Sequence, residues 1–117
     1  MRYGIFSDVH ANLEAFEAVI KEYKKESIDK YLFAGDIVGY ATNPGECIGR
    51  LKSLDAVSVA GNHDWACANL FSDEYFNPTA KRALFWTKEK ISCEDRIFLA
   101  NLKLSFENED LTLVHGS

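Results

Sequence analysis

Short apolar runs, each cut off by a polar or glycine residue, recur along this chain: Tyr3-Gly4-Ile5-Phe6, Tyr31-Leu32-Phe33-Ala34, Val57-Ser58-Val59-Ala60 and Leu111-Thr112-Leu113-Val114. Runs of that length between turn-forming residues read as buried strands. Between them the apolar period becomes helical. Asn12 stands where it can cap a helix from Leu13 to about Glu26, with Leu13, Phe16, Ile20 and Tyr23 on one face. Its acids come early and its lysines late, as the helix dipole favours. Asn43-Pro44-Gly45-Glu46 reads as a second start, with a cap, a proline at the first helical position and an acid at the third. Asn77-Pro78 opens a helix to about Lys90, with Leu84 and Ile91 inward and Phe85 and Trp86 assigned to the core. Ser92-Cys93-Glu94-Asp95 opens a short helix through Leu102, and residues 103–107 and 111–114 read as a hairpin around Asn108-Glu109-Asp110. The order βαβαβ, then helices, then ββ predicts an α/β fold with a parallel sheet and right-handed crossovers. No internal repeat, linker or low-complexity tract interrupts it.

The residues that follow the strands carry the chemistry. Ser7-Asp8-Val9-His10, Gly35-Asp36, Gly61-Asn62-His63-Asp64 and Val114-His115 each come directly after an apolar run. Ligands of open α/β sheets bind beyond the carboxyl ends of the strands. Four strand ends therefore bring Asp8, His10, Asp36, Asn62, His63 and His115 to one rim, and such a set reads as a metal site. Asp8 and His10 alternate across Val9, so on an extended chain both point to one side. Singly, an Asp or Asn after a strand is a helix cap and a His is a solvated or structural residue. Together those readings fail, because caps need no histidines and core packing needs no charges. Asp64 either orients His63 or caps the following helix. Trp65, Phe71, Tyr75 and Phe76 read as core or interface ahead of a substrate entrance.

These blocks resemble the calcineurin-like metallophosphoesterases, whose pattern is Asp-x-His, Gly-Asp, Gly-Asn-His-Asp/Glu, a strand-end His, and finally Gly-His-x-His. The likeness runs from Arg2 to Ser117, and Gly35-Asp36-Ile37-Val38-Gly39-Tyr40 is similar to the small bacterial and archaeal branch. The Gly-His-x-His motif does not occur, so the expectation is a C-terminally truncated domain: a two-sheet α/β sandwich with an incomplete second sheet. The resemblance implies a metal-dependent phosphoesterase acting on phosphomono- or diesters, in which a metal-bound hydroxide attacks phosphorus. It implies two divalent ions, with Asp8 and His10 on the first, Asn62 and His115 on the second, and Asp36 shared. A mixed oxygen and nitrogen set suits Mn, Fe, Zn, Co or Ni rather than Mg or Ca alone. His63 is implied as the residue that contacts the phosphate or protonates the leaving oxygen. The alternative is a weakly active or inactive metal-binding fragment serving as an interaction module.

Bulk properties narrow the rest. A chain of 117 residues is expected to form one domain, residues 1–117, burying roughly two thirds of its unfolded surface. A net charge of -5 does not indicate a nucleic-acid partner, whose binding surface would be basic. Cys47, Cys67 and Cys93 are odd in number and widely spaced, which reads as a reducing compartment, and no apolar run reaches membrane-spanning length. A cytoplasmic location and no membrane association are expected. The apolar C-terminal hairpin is expected to pair two copies into a homo-oligomer, with Phe106, Leu111 and Leu113 contributing.

Overall fold

The computed structural model describes residues 1–116. Its elements are β1 (Tyr3–Phe6), α1 (Leu13–Lys24), β2 (Lys30–Phe33), α2 (Pro44–Ser53), β3 (Val57–Ser58), α3 (Asn62–Cys67), α4 (Pro78–Lys90), α5 (Cys93–Asn101), β4 (Ser105–Glu107) and β5 (Thr112–Val114). β1, β2 and β3 form a parallel sheet in that order, with Ile5 opposite Leu32 and Leu32 opposite Val57. β4 and β5 form an antiparallel hairpin in which Phe106 faces Leu113. The chain just before the hairpin runs beside β3, through a Val59–Lys103 bridge and a bond from Ala60 N to Lys103 O of 2.8 Å.

Sequence explains most helix starts. Asn12, Asn77 and Ser92 accept hydrogen bonds from Ala15 N, Ala80 N and Asp95 N at 3.1, 2.8 and 3.0 Å. Asn43 departs from the expected cap. It makes no capping bond, and its amide instead donates to Glu46 Oε2 at 2.6 Å. The helices cover one face of the sheet, where Phe16, Ile20, Phe33, Ile48, Leu51, Leu84 and Leu99 form the main core. The hairpin covers the other face, packing Leu113 on Leu32 and Val59 with Phe106 and Leu111 beside them. This is an α/β sandwich whose second sheet has two strands among the described residues.

Three assignments need correcting. Phe85 is exposed, not core: α4 buries Ala80, Leu84 and Thr87, and one residue beyond Leu84 the helix has turned about 100° away. Tyr75 and Phe71 are exposed as well, which excludes the core but not the interface reading for them, whereas Trp65 and Phe76 pack against the core. The first strand is not fully buried either. Ile5 is 53% exposed, because the hairpin covers the sheet at Leu32 and Val59 but does not reach Ile5 on the outer strand β1. No helix among the described residues is long and apolar enough to cross a membrane.

Candidate metal centre

Two loops build the centre. The segment after β1 and the segment after β2 are laced together by Asp8 N to Gly35 O, His10 N to Asp36 O and Ala11 N to Ile37 O, at 2.9, 3.0 and 2.8 Å. The extended geometry expected for Asp8 and His10 is not what brings them together. β1 ends at Phe6, and Asp8, His10 and Asp36 take positive φ angles of 54°, 49° and 65°. Left-handed backbone at non-glycine residues is uncommon and concentrates at functional sites. It still delivers the side chains to one place, with His10 Nε2 3.3 Å from Asp8 Oδ1.

Asp36 is the hub. Its Oδ2 lies 3.7 Å from His10 Nε2 and 3.4 Å from His115 Nε2, while Oδ1 accepts from His63 N at 2.9 Å. His115 Nε2 is also 3.2 Å from Asn62 Oδ1. All six candidate residues therefore converge. Ligand atoms of Asp8, Asp36 and His115 fall within 4.8 Å of one another, and so do those of His10, Asp36 and His63. Geometry alone thus leaves His63 close enough to ligate.

The imidazoles differ in how they are held. His10 Nδ1 meets Val38 O at 3.0 Å and His115 Nδ1 meets Ala34 O at 2.8 Å. A carbonyl can only accept, so each Nδ1 carries a proton and each ring turns its Nε2 edge toward Asp36. Metal-binding histidines are characteristically fixed by such an outer bond. His63 has none among the described residues, its Nδ1 being buried without a hydrogen-bond partner there.

Burial pushes the Asp36 carboxyl above its ordinary range, against the opposing pull of His63, His115 and His10. Burial likewise depresses His63, partly offset by the charge of Asp36. A sunken carboxylate facing the Nε2 atoms of two imidazoles is a donor set that a divalent cation would neutralise, so the residues fit a metal.

Asp64 settles between its two readings. It stands in the first turn of α3, where its carboxylate accepts from Gly61 N at 2.9 Å, as a cap would. It does not bond His63. Instead it also accepts from Asp36 N, Ile37 N and Val38 N at 2.8, 2.9 and 3.2 Å, pinning the Asp36 loop to α3. Burial drives its carboxyl up to about 7 while hydrogen bonds from Gly61, Asp36 and Val38 pull it down. This bridging role was missed from sequence, although a cap-position acid beside the ligand block was the available signal. Tyr40 was missed too, and Phe76 was read as core or interface ahead of a substrate entrance. Their rings lie 5.1 and 4.6 Å from that of His63.

Comparison with known proteins gives the family. The family model of calcineurin-like phosphoesterases matches residues 1–117, and the chain belongs to that family. The uncharacterized protein MJ0912 of Methanocaldococcus jannaschii is 43% identical over 104 residues, covering 89% of this chain and 43% of that protein. The crystal structure of a metallophosphoesterase from Sphaerobacter thermophilus is similar with a TM-score of 0.83 and 43% identity, over 100% of this chain and 47% of the other. The hypothetical protein PH1004 from Pyrococcus horikoshii OT3 is similar with a TM-score of 0.70 and 26% identity, over 87% of this chain and 48% of the other. The chain thus spans less than half the length of each of these relatives.

Proposed function

We propose that this chain carries the Asp36-centred half of a metal-dependent phosphoesterase site acting on phosphomono- or diesters. The observation that carries the reading is the position of Asp36, buried between the Nε2 atoms of His10 and His115. Asp8 and His10 would hold one divalent ion, Asn62 and His115 a second, and Asp36 both, with Mn, Fe, Zn, Co or Ni as suitable metals. Bound there, such ions supply Lewis-acid stabilisation of phosphoryl oxygens and lower the pKa of water to about 7.

The protein's own part is positioning and proton transfer. Asp36 is held by the Asp64 bridge and by His63 N, so its oxygens need little reorganisation when charge develops nearby. Val38 O and Ala34 O hold the His10 and His115 rings in one orientation. In hydrolysis a water gives up a proton to solvent and its oxygen forms the new bond to phosphorus, the ester P–O bond breaks, and its electron pair leaves on the ester oxygen. His63 donates a proton to that oxygen through Nε2, leaving a neutral imidazole. General acid catalysis of this kind contributes about 10²- to 10⁴-fold.

The test is hydrolysis of p-nitrophenyl phosphate and bis-p-nitrophenyl phosphate with Mn2+. Wild type should release p-nitrophenol, Asp36→Asn should release none, and His63→Asn should turn over slowly with its metal content intact. A His63 variant that loses its metal would reassign His63 as a ligand. A second reading, an interaction module paired to another copy, draws on the exposed Leu104 and Val114 around the hairpin.

A further inference from the structure

His63 is oriented differently from the other two imidazoles of the centre. His10 and His115 are each fixed by a bond from Nδ1 to a backbone carbonyl, whereas His63 Nδ1 is buried with no partner among the described residues. Asp64, its neighbour in sequence, spends its carboxylate on four backbone N–H groups and cannot serve. What surrounds the His63 ring is aromatic. Phe76 lies against it at 4.6 Å with planes 32° apart, Tyr40 at 5.1 Å and 45°, and His10 edge-on at 5.0 Å and 77°.

Both aromatic neighbours are themselves pinned. Phe76 immediately precedes the Asn77 cap of α4, and its N–H bonds Asp73 O at 2.9 Å. Tyr40 follows Gly39, and both take left-handed φ angles, 67° and 106°. A Cβ at Gly39 would sit 2.6 Å from His63 Nδ1, so the missing side chain is what lets the ring lie there. Strained backbone at Tyr40 persists only where its surroundings enforce it. The tyrosine also stays 46% exposed, at the rim of the centre.

We propose that Phe76 and Tyr40 are positioning residues: they hold the His63 ring by stacking, in place of the hydrogen bond that fixes the other two histidines, so that Nε2 faces the leaving oxygen. This rests on the phosphoesterase reading for its catalytic consequence, but not for the clamp itself. Offset and tilted ring pairs are attractive beyond their area. A small misplacement of a catalytic group can cost about 100-fold in rate.

The test has two arms on the whole 117-residue chain. In the first, ¹⁵N-histidine-labelled, metal-free protein is examined by long-range proton–nitrogen NMR, the His63 ring being assigned by its loss in His63→Asn. Wild type should give one sharp pair of His63 ring nitrogens. Phe76→Leu should broaden or split that pair while those of His10 and His115 stay sharp, and Phe76→Tyr should restore it. Tyr40→Leu, on the other loop, gives the same reading where Phe76→Leu disturbs folding. In the second arm, Phe76→Leu should lower kcat about 10- to 100-fold with KM and bound metal unchanged, and Phe76→Tyr should recover most of the loss. Unchanged sharp His63 signals in both leucine variants would overturn the clamp, as would a parallel loss of kcat, KM and metal. If wild type hydrolyses no phosphoester, the functional reading fails and the ring signals alone decide the clamp.

Discussion

At Gly61 a Cβ would lie 2.0 Å from Asp36 Oδ1 and 2.4 Å from Asp36 N, distances no relaxation of a flexible side chain can relieve. The hub carboxylate can therefore sit against the start of α3 only because residue 61 has no side chain. Gly61→Ala is expected to destabilise the fold by several kcal/mol, about 2 or more, and to abolish Mn2+ binding, as overpacking and loss of the hub require. Gly49 is the contrast: it is exposed inside α2 with nothing within 4 Å of a Cβ. Gly49→Ala should stabilise by about 0.5–1 kcal/mol through helix propensity. Urea denaturation of both variants checks the pair, and equal effects would mean that the crowding at Gly61 is not what the distances imply. The residue types of the centre were legible in sequence, since Asp8, His10, Asp36, Asn62, His63 and His115 all converge. Their backbone was not. Nothing in Asp-Val-His announces left-handed φ at both ends, because the handedness comes from lacing to the Asp36 loop.

Among the elements, α3 is the one that sequence reading blurred. The run to Ala60 read as one strand; β3 itself spans Val57–Ser58, Val59 and Ala60 carry the pairing on to Phe33 and Lys103, and α3 starts at Asn62. A six-residue helix beginning on a glycine lacks the side-chain cap that marked α1, α4 and α5. Its cap comes from inside the first turn, through Asp64. Because the same carboxylate holds three N–H groups of the Asp36 loop, helix and loop are one unit. Asp64→Asn would turn one oxygen, which accepts two of those bonds, into an amide donor. Each buried N–H left unpaired costs about 1–3 kcal/mol, so a loss of about 2 kcal/mol or more is expected, with weaker Mn2+ affinity. A urea midpoint and metal affinity both at the wild-type value would contradict this. Phe85 shows the opposite failure: an aromatic residue in a helix was read as core although the stripe of Ala80, Leu84, Thr87 and Ile91 leaves it outside.

At the scale of the whole molecule the two faces of the sheet are unequal. The helical face buries a continuous core, while the hairpin face has a small cluster around Leu32, Val59 and Leu113, with Ile5, Leu104 and Val114 exposed. Phe106, Leu111 and Leu113 pack inward, so self-association through the hairpin would have to use its outer face. Under that proposal light scattering at micromolar concentration gives a mass above that of one chain, and Val114→Asp returns it to monomer without unfolding. A wild-type monomer rules the pairing out. The account as a whole turns on Asp36 as a shared metal ligand. Ligand linkage gives about 2.7 kcal/mol of stabilisation at 100 times the dissociation constant. The most direct measurement is a Mn2+ titration read by the electron paramagnetic resonance signal of the free ion. Wild type should bind Mn2+ and suppress that signal, and Asp36→Asn should leave it at the level of protein-free buffer. Equal binding by the two proteins, or none by wild type, would contradict the account.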